Sequence, residues 1–284
     1  MVVLLTLKHF YAGRKESQMT YFSHSFKTIS RSVPAAIATF AIAISWAPAA
    51  AAQAADTDRS DAAKWGLGAG VALAQKPYRD MDRDVIALPL ISYENKWISA
   101  SVATLDLKLF SNEAVSWRLR VHYAGDGYEA DDSPFLAGMN ERKGSVWIGG
   151  AVNWKTPAAN FSAELLGDAS GHSNGSRARL QVNRRFPSGS FGVTPRLAVE
   201  WVDRKFVDYY YGVEASEMHM GRGFYEGTAT ANAEAGLRVD YSPTHRYTVF
   251  LDLRATRFGS AIKDSPLVGS ASRTAVSVGY LYRF

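Results

Sequence analysis

The eleven residues from Thr274 to Phe284 alternate in polarity almost without a break. Thr274, Val276, Val278, Tyr280, Tyr282 and Phe284 lie on one face, and Ala275, Ser277, Gly279, Leu281 and Arg283 on the other. Period-2 alternation over roughly ten residues is what a membrane-spanning β-strand requires, because successive side chains point to lipid and to lumen. Strands of this kind must close into a barrel, since backbone groups left unpaired in hydrocarbon are too costly.

The two ends of the chain point to the same compartment. Phe284, with Tyr282 and Tyr280 at the third-last and fifth-last positions, has the form of the C-terminal signal read by the barrel assembly machinery of Gram-negative outer membranes. Near the other end, Lys27 and Arg31 precede an apolar stretch from Val33 to Trp46 and a small-x-small site at Ala52 and Ala54. This is the layout of a secretory signal peptide. The apolar stretch of about 14 residues, with Pro34 and Pro48 at its margins, is shorter than the roughly 20 that a spanning helix needs. Residues 1–54 are therefore read as an extension plus leader with the true start expected at Met19, residues 55–64 as a short segment, and residues 65–284 as the barrel. The leader carries +4 of the chain's formal +5, so the mature part is close to neutral. That removes the basic surface a nucleic-acid partner would need. The chain has no cysteine, which excludes thiolate metal sites and cysteine nucleophiles.

Period-2 segments between turn signals give a series of candidate strands. They are 65–75, 85–93, 97–103, 115–123, 145–155, 161–168, 177–186, 191–202, 228–241, 247–257 and 274–284, with a weaker segment at 104–110. Single-chain barrels have an even number of strands, short periplasmic turns and longer extracellular loops. Counting back from a periplasmic Phe284 requires 104–110 to be a separate strand. The expected fold is an all-β transmembrane antiparallel up-and-down barrel of 12 strands, with 10 as the alternative. Its inward faces bring Arg118, Arg120, Arg177, Arg179, Arg185, Arg196, Arg238 and Arg254 against Glu164, Asp168, Glu200, Glu234, Asp240 and Asp252. Buried charges must be paired or hydrated, so the lumen is either a salt-bridge plug or a small polar pore.

Six stretches in order resemble the MipA/OmpV family. They are Leu88–Tyr93; Asp132 to Met139 with Gly138; Asp168 to His172; Tyr210-Tyr211-Gly212-Val213; Ser265-Pro266-Leu267-Val268; and Tyr282-Arg283-Phe284. The resemblance spans about residues 66–284. It implies an outer-membrane barrel without catalytic residues or cofactors. It also implies a scaffolding role in peptidoglycan synthesis and remodelling, with a lytic transglycosylase and a murein synthase as partners beside outer-membrane lipid and the assembly machinery. A narrow channel for small solutes is the alternative, and a lipid hydrolase a third reading.

The hydrolase reading rests on Asp168, Ser170 and His172 at i, i+2, i+4, which would share one face of a continuing strand. The Gly-, Ser- and Asn-rich surroundings read instead as a turn. The connection from Asp203 to Gly227 is rich in Tyr, Phe and Met, and reads as a lid, an interfacial girdle or a recognition surface. His219 and His245 have no partner at metal-ligand spacing.

Overall fold

The computed structural model describes residues 63–81 and 83–284. The expected leader and its cleavage site at Ala52 and Ala54 lie outside these residues. Thirteen strand segments form one sheet: β1 Lys64–Gln75, β2 Arg83–Glu94, β3 Ile98–Ser101, β4 Thr104–Ser111, β5 Val115–Ala124, β6 Ser145–Lys155, β7 Asn160–Asp168, β8 Ser176–Asn183, β9 Phe186–Ser188, β10 Phe191–Val202, β11 Thr230–Thr244, β12 Tyr247–Arg257 and β13 Ser272–Arg283. Neighbours are antiparallel, and β13 pairs back onto β1 from Gly66↔Arg283 to Ala74↔Ala275, which closes the barrel.

Thirteen segments make twelve staves. Both β8 and β9 pair with β10, and the register runs through both without a slip, from Val202↔Arg177 past Arg196↔Asn183 to Val193↔Phe186. The interruption lies opposite Pro195, which has no N–H to return the 3.4 Å bond that Arg184 donates to its carbonyl. The ladder lapses there while the strand continues. The weak segment is β4, a stave in its own right, so the count expected from parity holds.

The outward side chains form the lipid-facing surface, with Leu67, Val71, Leu105, Leu119, Leu180, Leu197 and Leu251 all exposed. At the end with the short turns, every stave carries an outward aromatic: Trp65, Tyr93, Trp97, Phe110, Trp117, Trp154, Phe161, Phe186, Phe191, Tyr241, Tyr247 and Phe284. Several touch across strands, as in Trp65–Tyr93 with centroids 4.5 Å apart and Phe191–Tyr241 at 4.7 Å. This is a complete interfacial girdle. Tyr280 and Tyr282 belong to it, with Tyr282 packed edge-on against both Tyr247 and Phe284.

The wall is low at one place. The β3–β4 hairpin turns at Val102-Ala103, so β2 pairs with β3 only at Ser92, Tyr93 and Glu94. From Arg83 to Ile91, β2 pairs with β1 on one side and has no ladder on the other among the described residues. Because Asn95 donates to Ile98 at the hairpin turn, strict alternation aims the backbone groups of Ile91, Pro89, Ala87 and Val85 at this edge. Pro89 lacks the N–H that would face the gap, a placement proline takes on edge strands.

Candidate functional site: a capped mouth over a charged lumen

The five long connections, 76–82, 125–144, 169–175, 203–229 and 258–271, gather at the other end of the barrel. They enclose the molecule's hydrophobic core, which includes Tyr78, Tyr128, Leu136, Met139, Trp147, Phe206, Val207, Tyr210, Tyr211, Ile262 and Leu267. The barrel wall faces lipid outside and charge inside, so the apolar residues with nowhere else to go pack into this cap.

Helix α1, Arg204–Tyr211, is the centre of the cap. Asp203 stops the strand and caps the helix, its carboxylate accepting the Phe206 N–H at 2.9 Å. Phe206, Val207, Tyr210 and Tyr211 then fall on one buried face. The helix ends where Gly212 meets Asp208; a Cβ there would lie 2.2 Å from the Asp208 carbonyl oxygen. Tyr210 Oη donates to the Lys143 carbonyl at 3.1 Å and lies 3.0 Å from Ser145 Oγ. The Ser265 hydroxyl donates to the Tyr211 carbonyl at 2.6 Å, and Pro266 is half-buried between it and Leu267. Tyr78 reaches in from the β1–β2 loop, its hydroxyl 3.2 Å from the carbonyls of both Asp126 and Tyr210. Its ring packs on Tyr128 and Tyr211. Burial pushes the hydroxyls of Tyr78, Tyr210 and Tyr211 well above the usual tyrosine range, so they stay protonated.

A polar knot ties the outer loops. Glu217 accepts from Arg142 Nη2 with both carboxylate oxygens at 2.9 Å, and from the N–H groups of Asn140 at 2.9 Å and Glu214 at 3.0 Å. Burial alone would push the Glu217 carboxyl up; these donors outweigh it and hold the carboxyl below the ordinary range. Arg222, almost fully buried, donates to three carbonyls, those of Glu217, Phe135 and Ala137. Gly138, at φ +81°, supplies the left-handed turn that lets the chain around Leu136 and Met139 double back onto it. Asp132 accepts from the Glu129 N–H and pairs with Lys76 at 3.5 Å, joining two loops. The tip beyond this knot is apolar and exposed: Met218, Phe224 and Met220, the last 99% exposed.

Asp168 organises a turn. Its Oδ1 accepts from Ser170 Oγ at 2.6 Å and N at 2.9 Å, and its Oδ2 from Ser173 N at 2.6 Å, Ser173 Oγ at 2.8 Å and Asn174 N at 3.1 Å. His172 Nδ1 lies 2.8 Å from the Gly144 carbonyl. The carboxylate therefore bonds the hydroxyl directly while the imidazole faces backbone. The acid–imidazole–hydroxyl order of a catalytic triad is not assembled.

Below the cap the lumen is crossed by ion pairs. Asp106, 1% exposed, accepts from Arg120 Nε and Nη2 at 2.8 Å and from Arg118 Nη1 at 3.2 Å, and Arg120 continues to Glu164. On the far wall Arg177 pairs with Glu200, Arg179 with Glu234, Arg185 with Asp240, and Arg196 with Asp252. Arg254 approaches Glu234 at 3.5 Å, and the Arg238 guanidinium lies 4.0 Å from the Phe250 ring centroid. Of the inward charges read from the sequence, Asp168 serves the turn above, Arg238 rests on the Phe250 ring, and the others pair with opposite charges within the lumen. A small cavity remains between cap and ladder, lined by Asp126, Arg177, Glu200, Tyr211, Glu234 and Arg273 among others. Burial raises the Asp126 carboxyl above its ordinary value against the pull of Arg177 and Arg273. Among the described residues, no group of three or more His, Asp or Glu side chains is placed to hold a metal.

Asp132, Gly138, Met139, Asp168, His172, Tyr210, Tyr211, Gly212, Ser265 and Pro266, scattered over four stretches of sequence, thus meet in one cap. Tyr78, Arg142, Glu217 and Arg222 complete it and were not singled out in the sequence. Asp106 was also missed, although outward Leu105, Leu107 and Leu109 imply that it points inward.

A closed twelve-stave sheet with a lipid-facing exterior, an ion-paired interior and an aromatic girdle defines a bacterial outer-membrane β-barrel. Residues 67–284 match the family described as MltA-interacting protein MipA, and the chain belongs to that family. It is 27% identical over 226 residues to the MltA-interacting protein of Escherichia coli K12, covering 78% of this chain and 90% of the relative. To outer membrane protein OmpV of Vibrio cholerae it is 23% identical, covering 78% and 87%. Among solved structures it is similar to the NanC porin, at 9% identity and TM-score 0.40 over 76% of this chain and 98% of that one. An outer-membrane channel of Pseudomonas putida F1 gives 11% identity and the same TM-score, covering 81% and 99%.

Proposed function

We propose that this barrel is a non-enzymatic interaction protein of the cell envelope that presents its rims to partners rather than passing solutes through its lumen. The observation that carries the reading is the double filling of the barrel, a hydrophobic cap over an ion-paired lumen. By the usual sidedness of such barrels, the capped end faces the exterior and the short turns face the periplasm. Membership in a family named for interaction with MltA supports a lytic transglycosylase as a periplasmic partner, and a murein synthase is the second partner of the proposed scaffold. The short turns offer a small platform, so contact would be limited to the rim.

In-cell photo-crosslinking from Glu113 and His245, both exposed in short turns, followed by mass spectrometry, is expected to recover murein enzymes. Recovery of none, with efficient crosslinking to other proteins, would count against the scaffold. A narrow channel is the second reading, favoured by the cavity beneath the cap. The hydrolase reading is tested by fatty-acid release in detergent, where the native protein is expected to release none.

A further inference from the structure

The girdle has a second layer. Just beyond its aromatics, at the short-turn rim, stand five exposed cations: Lys64, Lys96, Lys155, Arg184 and Arg246. They come from five different places on the rim, and each is beside a girdle aromatic. Lys64 precedes Trp65 and Lys155 follows Trp154, each starting on the strand face opposite its aromatic neighbour but exposed at the strand's end, and Arg246 precedes Tyr247. Lys96 Nζ lies 5.6 Å from the Trp97 ring centroid, and the Arg184 guanidinium 5.2 Å from that of Phe186. Acidic side chains on this rim are fewer than the cations: Glu94, engaged by Lys108, and Glu113 among the described rim residues. The remaining rim arginines turn inward, Arg185 to Asp240 and Arg283 to the Thr248 hydroxyl.

From this arrangement we infer that the short-turn rim is a binding collar for anionic glycerophospholipids, with phosphate headgroups held by the five cations and glycerol and acyl segments lying on the girdle. Aromatic rings settle at headgroup depth, and a long cationic side chain beside one reaches outward to phosphate. An acidic protein surface would satisfy the cations but would leave the regular aromatic pairing unused. The capped end is built differently. There the outward aromatics near the strand ends are Trp201 and Tyr123, and Asp80, Asp84, Glu129, Asp131, Glu141, Glu214 and Glu226 lie among the loop cations. The collar therefore distinguishes the two leaflets and fits the phospholipid of the periplasmic one.

Each cation near an anionic surface contributes roughly fivefold to partitioning, so the five together produce a preference that survives extraction. The test places the full barrel in nanodiscs of equal phosphatidylglycerol and phosphatidylethanolamine, extracts it in mild detergent and measures the co-retained lipids by native mass spectrometry. Native protein is expected to be enriched in phosphatidylglycerol, and the enrichment to fall as salt is raised. The combined variant Lys64→Gln, Lys96→Gln, Lys155→Gln, Arg184→Gln and Arg246→Gln is expected to lose the enrichment. A cap-side control, Lys143→Gln, Arg204→Gln, Lys205→Gln and Lys263→Gln, should keep it. Heat-modifiable electrophoretic mobility checks that each variant is folded, and the salt response of the native protein tests the collar even if the combined variant is not. No enrichment in the native protein, an enrichment insensitive to salt, or one that survives the rim substitutions would overturn the collar. So would a rim variant that loses a crosslinked acidic protein while its lipid retention is unchanged.

Discussion

Asp106 shows how much of this barrel's interior hangs on single carboxylates. It accepts three bonds from two arginines while almost wholly removed from solvent. Removing one partner of such a buried group leaves charge uncompensated, at a cost of about 3–5 kcal/mol. Asp106→Asn is therefore expected to lower stability by about that amount, read as a shift in the urea midpoint for unfolding from lipid vesicles. Asp106→Asn combined with Arg120→Met should recover part of the loss. Glu217 behaves differently because it sits in the cap and titrates. Its folded carboxyl lies below its ordinary value, so its contribution is fully present above the unfolded pKa and is lost as pH falls through the folded one. Asp126, raised by burial, works in the opposite direction, and its contribution is lost as pH rises through its folded value. Proteolysis of the 213–225 loop is thus expected to accelerate as pH drops below the usual glutamate range. Glu217→Gln should make cleavage fast already at neutral pH and flatten that response.

The strands were legible in the sequence because a barrel wall separates two solvents, so each residue declares its side. Parity, counted back from Phe284, makes β4 a stave although it lacks a marked turn before it, and in the structure outward Leu105, Leu107 and Leu109 alternate there with inward Asp106 and Lys108. What period-2 reading does not carry is the height of neighbouring strands. The short β3–β4 hairpin leaves β2 without a ladder on that side above Ser92 among the described residues, and the local hint was Pro89 in an otherwise regular strand. Amide exchange can test this edge, since Ala87 and Ile91 aim their N–H groups at the gap while Leu88 and Leu90 aim theirs at β1. The odd-numbered pair is expected to exchange faster than the even-numbered pair; equal protection would mean the edge is covered. The same limit applies to Pro195, which interrupts a ladder without ending a strand.

At the scale of the molecule, the cap is the part that sequence could only suggest. Its motifs were visible as resemblances in four separate loops, but local patterning does not say that Tyr78 reaches Tyr210, or that Arg142 meets Glu217 seventy-five residues away. Those contacts exist because a lipid-facing wall with a charged lumen leaves the loop end as the place to bury aromatic surface. Packing at the mouth and ion pairs below it are the two features on which the proposed closure of the barrel rests. Reconstitution of the native protein into planar bilayers tests that closure most directly. A barrel filled at both levels is expected to give no reproducible unit conductance at neutral pH, even at high protein load. Discrete, uniform conductance steps from verified folded barrels would contradict it and make the molecule a channel.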